Sequence, residues 1–398
     1  MRRTNQLILA AAALNAALSL AQRTPDYDRS VVRQTRIDLR DLGYPPRDVI
    51  PSEESAIRAL AVSPQGLLYG ATSGTRSHLF VLDPQHGYVQ PLGWLRGVTT
   101  VHHALAISRD GDVYIGGSLG VDNGGEGYQG YAGAHLLKYA RKPAEPRPDQ
   151  VNLECPVADL GVVWPGEGIY ALAIDRERDV LYGLTYPTGQ FFSYDVRKSL
   201  FRMHGRVAEH IAPGEKFEKD RALGRALFVA RNGDVFTTGE DGAFFHFDRQ
   251  GGKLEKLGIT APTVPGREPY NRVDAFVADH DGTAYGGTSD GYLFRLNPET
   301  PAVENLGKPL NQYRIRGLIM APNGKLYGVG GDDDEMARLW AYDPARGVYQ
   351  MLGMIDVNHR PYYSWQAYVI DAMAIGMDGT IYLGQGERRA KLFVYYPE

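Results

Sequence analysis

The sequence predicts an all-β protein, a seven-bladed β-propeller whose ring is closed by an N-terminal strand that completes the last blade. Three observations carry this. One strand–turn–strand motif recurs seven times, a third-strand pattern follows each copy, and the last copy lacks a fourth strand whose pattern appears instead near the N-terminus. Composition agrees: the chain has 398 residues, 43% of them hydrophobic, with 47 glycines and 25 tyrosines. That suits many short strands joined by tight turns better than amphipathic helices.

The first element is "MRRTNQLILAAAALNAALSLAQ". Arg2 and Arg3 form a basic start, Leu7 to Leu20 an apolar run, and Ser19-Leu20-Ala21 a small-x-small site before Gln22. Residues 1–21 therefore read as a secretory signal peptide, too short for a spanning helix, and residues 22–398 as a single propeller domain, periplasmic or secreted.

The repeats follow in order: "RALAVSPQGLLYG" from Arg58, "HALAISRDGDVYI" from His103 and "YALAIDRERDVLYG" from Tyr170. Then come "RALFVARNGDVFT" from Arg225, "DAFVADHDGTAYG" from Asp274, "RGLIMAPNGKLYG" from Arg316 and "DAMAIGMDGTIYL" from Asp371. Third strands read "HLFVLDP", "HLLKYAR", "QFFSYDV", "AFFHFDR", "YLFRLNP", "RLWAYDP" and "KLFVYYP"; fourth strands end in Leu-Gly in several copies, as in "VQPLG" and "YQMLG". A spacing of roughly 40–55 residues per unit is that of a propeller blade. The last copy ends at "KLFVYYPE", while residues 36–44, "RIDLRDLGY", carry the fourth-strand pattern and are expected to cover the open edge.

The first strand of each blade lines the central channel. The residue that opens each repeat is polar in all seven: Arg58, His103, Tyr170, Arg225, Asp274, Arg316 and Asp371. The residue before it is often apolar, as at Ile57, Ile169, Val273, Ile315 and Ile370. Neighbours in a strand face opposite sides, so the polar set is expected to ring the channel mouth and the apolar set to lie between blades. His102 takes the apolar partner's place and His103 looks into the channel. The same face receives the loops between second and third strands and the connections between blades. These bring His135, Tyr186, Trp164, Arg267, Tyr270, Arg272, His359, Arg360 and Trp365 to one side, which is the expected site.

A net charge of −4 and the absence of a long basic run argue against a nucleic-acid partner, and no membrane partner is expected. The lone Cys155 excludes an internal disulfide and a thiolate cluster; it reads as a small buried hydrophobe. "DDDE" at 332–335 reads as a solvated loop. "GVDNGG" and "DVNHR" lack the carboxylate spacing of a calcium loop, so no cofactor is required, although a structural calcium or other divalent ion is compatible with the sequence. The ring's aspartates and arginines could also simply neutralise one another.

Aromatic faces with guanidinium forks suit a sugar that carries a carboxylate. In this His, Tyr and Arg layout the chain resembles the seven-bladed propeller polysaccharide lyases of the ulvan, or rhamnose–glucuronate, type. The resemblance implies a catalytic set of His103 (or His102), His135, Tyr186 in "TYPTGQF" and Arg202 in "SLFRMHG". It implies substrate contacts from Arg58, His102, Tyr170, Arg225, Arg316, Trp164, Tyr270 and Trp365, with a monomer acting on an acidic polysaccharide or oligosaccharide by β-elimination. Two alternatives stand beside it: a glycoside hydrolase, for which Asp274 and Asp371 are the obvious carboxylate pair, and a non-catalytic glycan- or protein-binding propeller.

Overall fold

The structure, a computed structural model, describes residues 26–27, 39–41, 50–85, 88–119, 131–141, 151–208, 223–332, 335–359 and 363–397. Residues 1–21, expected from the sequence to be a signal peptide, lie outside them. Seven antiparallel sheets of four strands form the blades. Their inner strands are Ala56–Val62, Leu105–Ile107, Gly168–Asp175, Phe228–Val229, Val273–Ala278, Ile315–Met320 and Ile370–Ile375. Each inner strand touches the next and the seventh touches the first, so the sheets close into a ring.

The repeated motif has a packing reason at each position. In the "YG" near the start of the second strand, a Cβ on Gly70, Gly183, Gly286 or Gly328 would sit inside the ring of Phe80, Phe192, Phe294 or Trp340 from the third strand. The glycine is thus the floor on which the third-strand aromatic lies. The turn between first and second strands needs a left-handed residue, supplied by Gly66 at φ 84° in the first blade. The third copy, "DRERD", has no glycine, and Asp179 adopts that conformation at φ 56°. The core lies between blades. Ile57, Leu68 and Phe80 of the first blade pack with Tyr382, Leu392 and Val394 of the seventh.

Ring closure follows the sequence pattern. Leu39–Asp41 pairs antiparallel with the last strand, Leu39 opposite Tyr395 and Asp41 opposite Phe393, and so completes the seventh blade. The sequence did not signal a further pairing, in which Asp26–Tyr27 runs parallel to Val348–Tyr349 as a fifth strand on the sixth blade. A two-stranded hairpin, Asp356–His359 with Tyr363–Gln366, rises from the connection into the seventh blade. Cys155 is 2% exposed, and burial pushes its thiol up to about 12, which leaves it inert.

Candidate channel site

Five of the inner strands start with the same irregularity. Pairing with the second strand skips one residue between Ile57 and Ala59, Ile169 and Ala171, Val273 and Ala275, Ile315 and Gly317, and Ile370 and Ala372. The skipped residues are Arg58, Tyr170, Asp274, Arg316 and Asp371, the opening residues of the repeats. A bulge of this kind leaves one residue outside the ladder and re-aims its side chain. The apolar residue before each is sealed between blades: Ile57 and Val273 are 0% exposed. Six of the seven expected ring residues, Arg58, His103, Arg225, Asp274, Arg316 and Asp371, line an axial cavity of about 170 Å³. Tyr170 is set back from it and buried; its phenol oxygen accepts a hydrogen bond from Arg225 Nε at 2.6 Å.

The charges in this ring are paired tightly. Asp274 receives Arg272 Nε at 2.8 Å and Arg314 Nε at 2.9 Å, with Arg225 Nε at 3.9 Å. Burial alone would raise the Asp274 carboxyl. The three guanidinium groups outweigh it and hold the carboxyl far below the usual range. Asp371 behaves alike: burial opposes its ionisation, but Arg316, which bonds it directly, and Arg58, at 3.7 Å, keep it ionised. Arg316 also bonds Asp332 and donates to the Gly331 carbonyl at 3.2 Å. Arg314 sits at φ 62°, and its Nη2 is buried with no hydrogen-bond partner. Burial and its cationic neighbours lower this guanidinium to about 10 despite Asp274. Among the described residues these ion pairs set five arginines against three aspartates.

The other half of the ring is aromatic. Burial, with the Arg225 charge adding to it, lowers His103 to about 3, so its imidazole is neutral at physiological pH. The Tyr170 ring lies 5.1 Å from that of Tyr186 and 5.0 Å from His102, which meets it edge-on. His102 is 3% exposed and sits between blades, as its apolar register implies; it does not face the cavity.

The structure does not bring the four expected catalytic residues together. Tyr186 reaches the ring through Tyr170, but Arg202 lies on Leu200–Arg206, the outermost strand of the third blade, opposite Ser193 and exposed. His135 begins a third strand, and its Nδ1 pairs with Asp159 on the neighbouring outer strand at 2.8 Å. Trp164 is half-buried in the connection between the second and third blades. Tyr270 is 44% exposed on the rim of the fifth, and Trp365 lies opposite Val357 in the hairpin. Residues missed from the sequence are Arg314 and Asp332. "DDDE" is not wholly a solvated loop, because Asp332 closes the ion-pair chain on Arg316. In "NRVD" and "YRIR" an arginine stands two residues before the ring position, but Arg314 precedes the strand Ile315–Met320 with a left-handed backbone, so strand periodicity does not place it. Among the described residues no group of three His, Cys, Asp or Glu side chains gathers that could hold a metal ion.

No family model and no curated protein matches this sequence. Solved structures share the architecture. The fold is similar to that of a streptogramin B lyase. That structure superposes with a TM-score of 0.60 at 12% identity, over 90% of this chain and 97% of its own. A catalytically inactive virginiamycin B lyase from Staphylococcus aureus, solved with quinupristin, gives a TM-score of 0.60 at 9% identity, over 91% of this chain and 100% of its own. The WD40 propeller domain of Doa1 gives 0.54 at 12% identity, over 85% and 92%. At such identities the likeness establishes the fold, not the chemistry.

Proposed function

We propose that this protein is an exported carbon–oxygen lyase, and that the channel mouth cleaves a uronate-containing polysaccharide by β-elimination without a cofactor. The observation that carries this reading is the bond from Arg225 to Tyr170, set between a neutral His103, Tyr186 and a ring rich in arginine. The roles expected of Arg202 and His135 pass to residues that face the cavity.

A uronate carboxylate would sit against Arg225 and Arg58, whose charge neutralises it and makes the neighbouring C5–H acidic enough to remove. His103, unprotonated, accepts the C5 proton. The substrate's own negative charge strengthens the imidazole as a base, offsetting the low basicity it has in the empty channel. The electron pair forms a C4–C5 double bond as the C4–O4 bond breaks, and Tyr186 donates a proton to the departing O4. Tyr170 positions Tyr186 and fixes Arg225.

The hydrolase reading needs one carboxyl group protonated at working pH. Asp274 and Asp371 are both held ionised by arginines, which argues against it. The binding-propeller reading has one observation in its favour: most guanidinium donors in the channel already have carboxylate partners. That other propellers of this shape are lyases supports only the scaffold's capacity for such chemistry.

The test is absorbance of the conjugated unsaturated uronate formed from ulvan, polyglucuronate or pectate. Tyr186→Phe should cut turnover by about 10²–10⁴ with binding retained. Saturated product ends would favour hydrolysis, and no cleavage of any acidic polysaccharide would leave the binding module.

A further inference from the structure

Beside the channel, the fifth and sixth blades carry a run of five side chains in which tyrosines alternate with cations. The Arg267 guanidinium lies 5.7 Å from the Tyr270 ring centre and 5.0 Å from that of Tyr313. Lys308 Nζ continues the series at 5.2 Å from Tyr313 and 5.7 Å from Tyr292. Tyr270 and Tyr313 nevertheless remain 44% and 45% exposed. None of these five lines the axial cavity.

The base beneath the run is stiff. Asp290 is 0% exposed and accepts from Thr263 Oγ1 at 2.6 Å, the Val264 N–H at 3.0 Å and Arg267 Nε at 2.8 Å. That grips one edge of the guanidinium and fixes its plane. Ser289 then stitches the loops together: its hydroxyl donates to the Tyr270 carbonyl at 3.0 Å, and its carbonyl accepts the Arg314 N–H at 3.0 Å. The run also abuts the channel through the chain itself. Tyr313 is followed by Arg314, and Tyr270 is two residues from Arg272, and both arginines end on Asp274. The left-handed backbone of Arg314 sends it inward while Tyr313 stays on the rim.

We propose that this tyrosine–cation run is a second binding surface that holds the length of an acidic polysaccharide extending out of the channel. The chemistry argues for that occupant. The exposed parts of Tyr270 and Tyr313 offer apolar contact to pyranose rings, Lys308 and the ungripped edge of Arg267 meet carboxylates, and a pre-fixed platform spends little ordering energy on binding. The inference rests on the proposed acidic-polysaccharide substrate, so its test reads binding apart from turnover.

The experiment is electrophoresis of the Tyr186→Phe protein through gels containing ulvan or polyglucuronate, with dextran as the neutral control. It is repeated with Lys308→Glu and Tyr313→Ser added, and melting temperature is recorded as a check on folding. The expected result is retardation in the acidic gels only, with apparent affinity about tenfold weaker in the altered protein at unchanged melting temperature. A second arm compares the otherwise unaltered Lys308→Glu, Tyr313→Ser protein with the parent on long polymer and on short oligosaccharides. KM should rise for the polymer alone. Equal retardation of both proteins, or none of either, overturns the surface, as does polyglutamate competing as well as polyglucuronate. Retardation that the substitutions abolish, with no unsaturated product from the parent, would keep the surface and remove the lyase. Unsaturated product with unchanged retardation would do the reverse.

Discussion

Replacing Asp274 by Asn tests whether the ring is held by charge. The carboxylate is 2% exposed and meets Arg272 at 2.8 Å, Arg314 at 2.9 Å and Arg225 at 3.9 Å. Asparagine keeps the shape and one acceptor oxygen but leaves three guanidinium groups facing one another with no intervening charge. Removing one partner of a buried ion pair costs about 3–5 kcal/mol. From Ile50 to Pro397 the propeller is about 350 residues long. At about 2.1 cal/mol/K per residue its unfolding entropy is about 0.7 kcal/mol/K, so the melting temperature should fall by about 4–7 °C at neutral pH. The sign of the pH effect is fixed as well. The folded carboxyl titrates well below the unfolded value of about 3.9, so its contribution is complete above about pH 4. It is lost as pH falls further, by about 1.4 kcal/mol per pH unit, and the gap between parent and variant should narrow there. Scanning calorimetry at neutral pH and at about pH 3 measures both. A fall of less than about 1 °C, or a gap that does not change with pH, would refute the argument that Asp274 is the ionic centre of the ring.

Three further expectations follow from the same geometry. Deleting residues 22–45 removes the strand paired with Leu392–Tyr395, so the melting temperature should drop and light scattering should report edge-to-edge association; an unchanged melt would contradict ring closure by Leu39–Asp41. His103→Gln should be worth more in acid than in base. The folded imidazole titrates near 3 against about 6.5 unfolded, so parent stability declines as pH falls from about 6.5. Denaturant melts should then show the variant gaining on the parent at about pH 5 relative to about pH 8, and parallel curves would count against a neutral His103. Arg202→Ala should alter stability by no more than about 0.5 kcal/mol and leave any turnover intact, since its side chain is exposed on an outer strand; loss of activity would return Arg202 to the site.

The architecture was legible because each blade must satisfy the same packing demands. The Gly70-under-Phe80 contact and the apolar residue sealed between blades recur at fixed offsets, and a strong period survives one irregular copy such as "DRERD". The site was legible only in part. The ring positions came through because they are polar residues in an otherwise apolar strand, and the bulges explain why that anomaly is tolerated. Arg202 came in with a family resemblance, against the topology. A fourth strand lies three strand spacings of about 4.8 Å from the inner one, so Arg202 stands about 14 Å out from the axial strand before its side chain is counted. Arg314 and Asp332 failed to register for the opposite reason: both sit in connections, where periodicity is silent, and only the folded chain shows them closing on Asp274 and Arg316.

What the ring does with its charge depends on how that charge is distributed, and the distribution is lopsided. Arg225, Arg272, Arg314 and Arg316, with Asp274, Asp332 and Asp371 between them, come from the fourth blade onward, while His103, Tyr170 and Tyr186 come from the second and third. One side of the channel can therefore hold an anion, and the other can exchange protons with whatever that anion is attached to. Arg225 joins the two, donating to Tyr170 at 2.6 Å while lying 3.9 Å from Asp274. A residue with that pair of contacts cannot shift toward a bound carboxylate without changing what the Tyr170 oxygen feels. Occupancy of the cationic half is in this way mechanically tied to the hydrogen-bonding state of the aromatic half. A purely structural ion-pair network would have no reason to end on a tyrosine in tilted ring contact with another tyrosine, on the side of the channel that carries a neutral histidine.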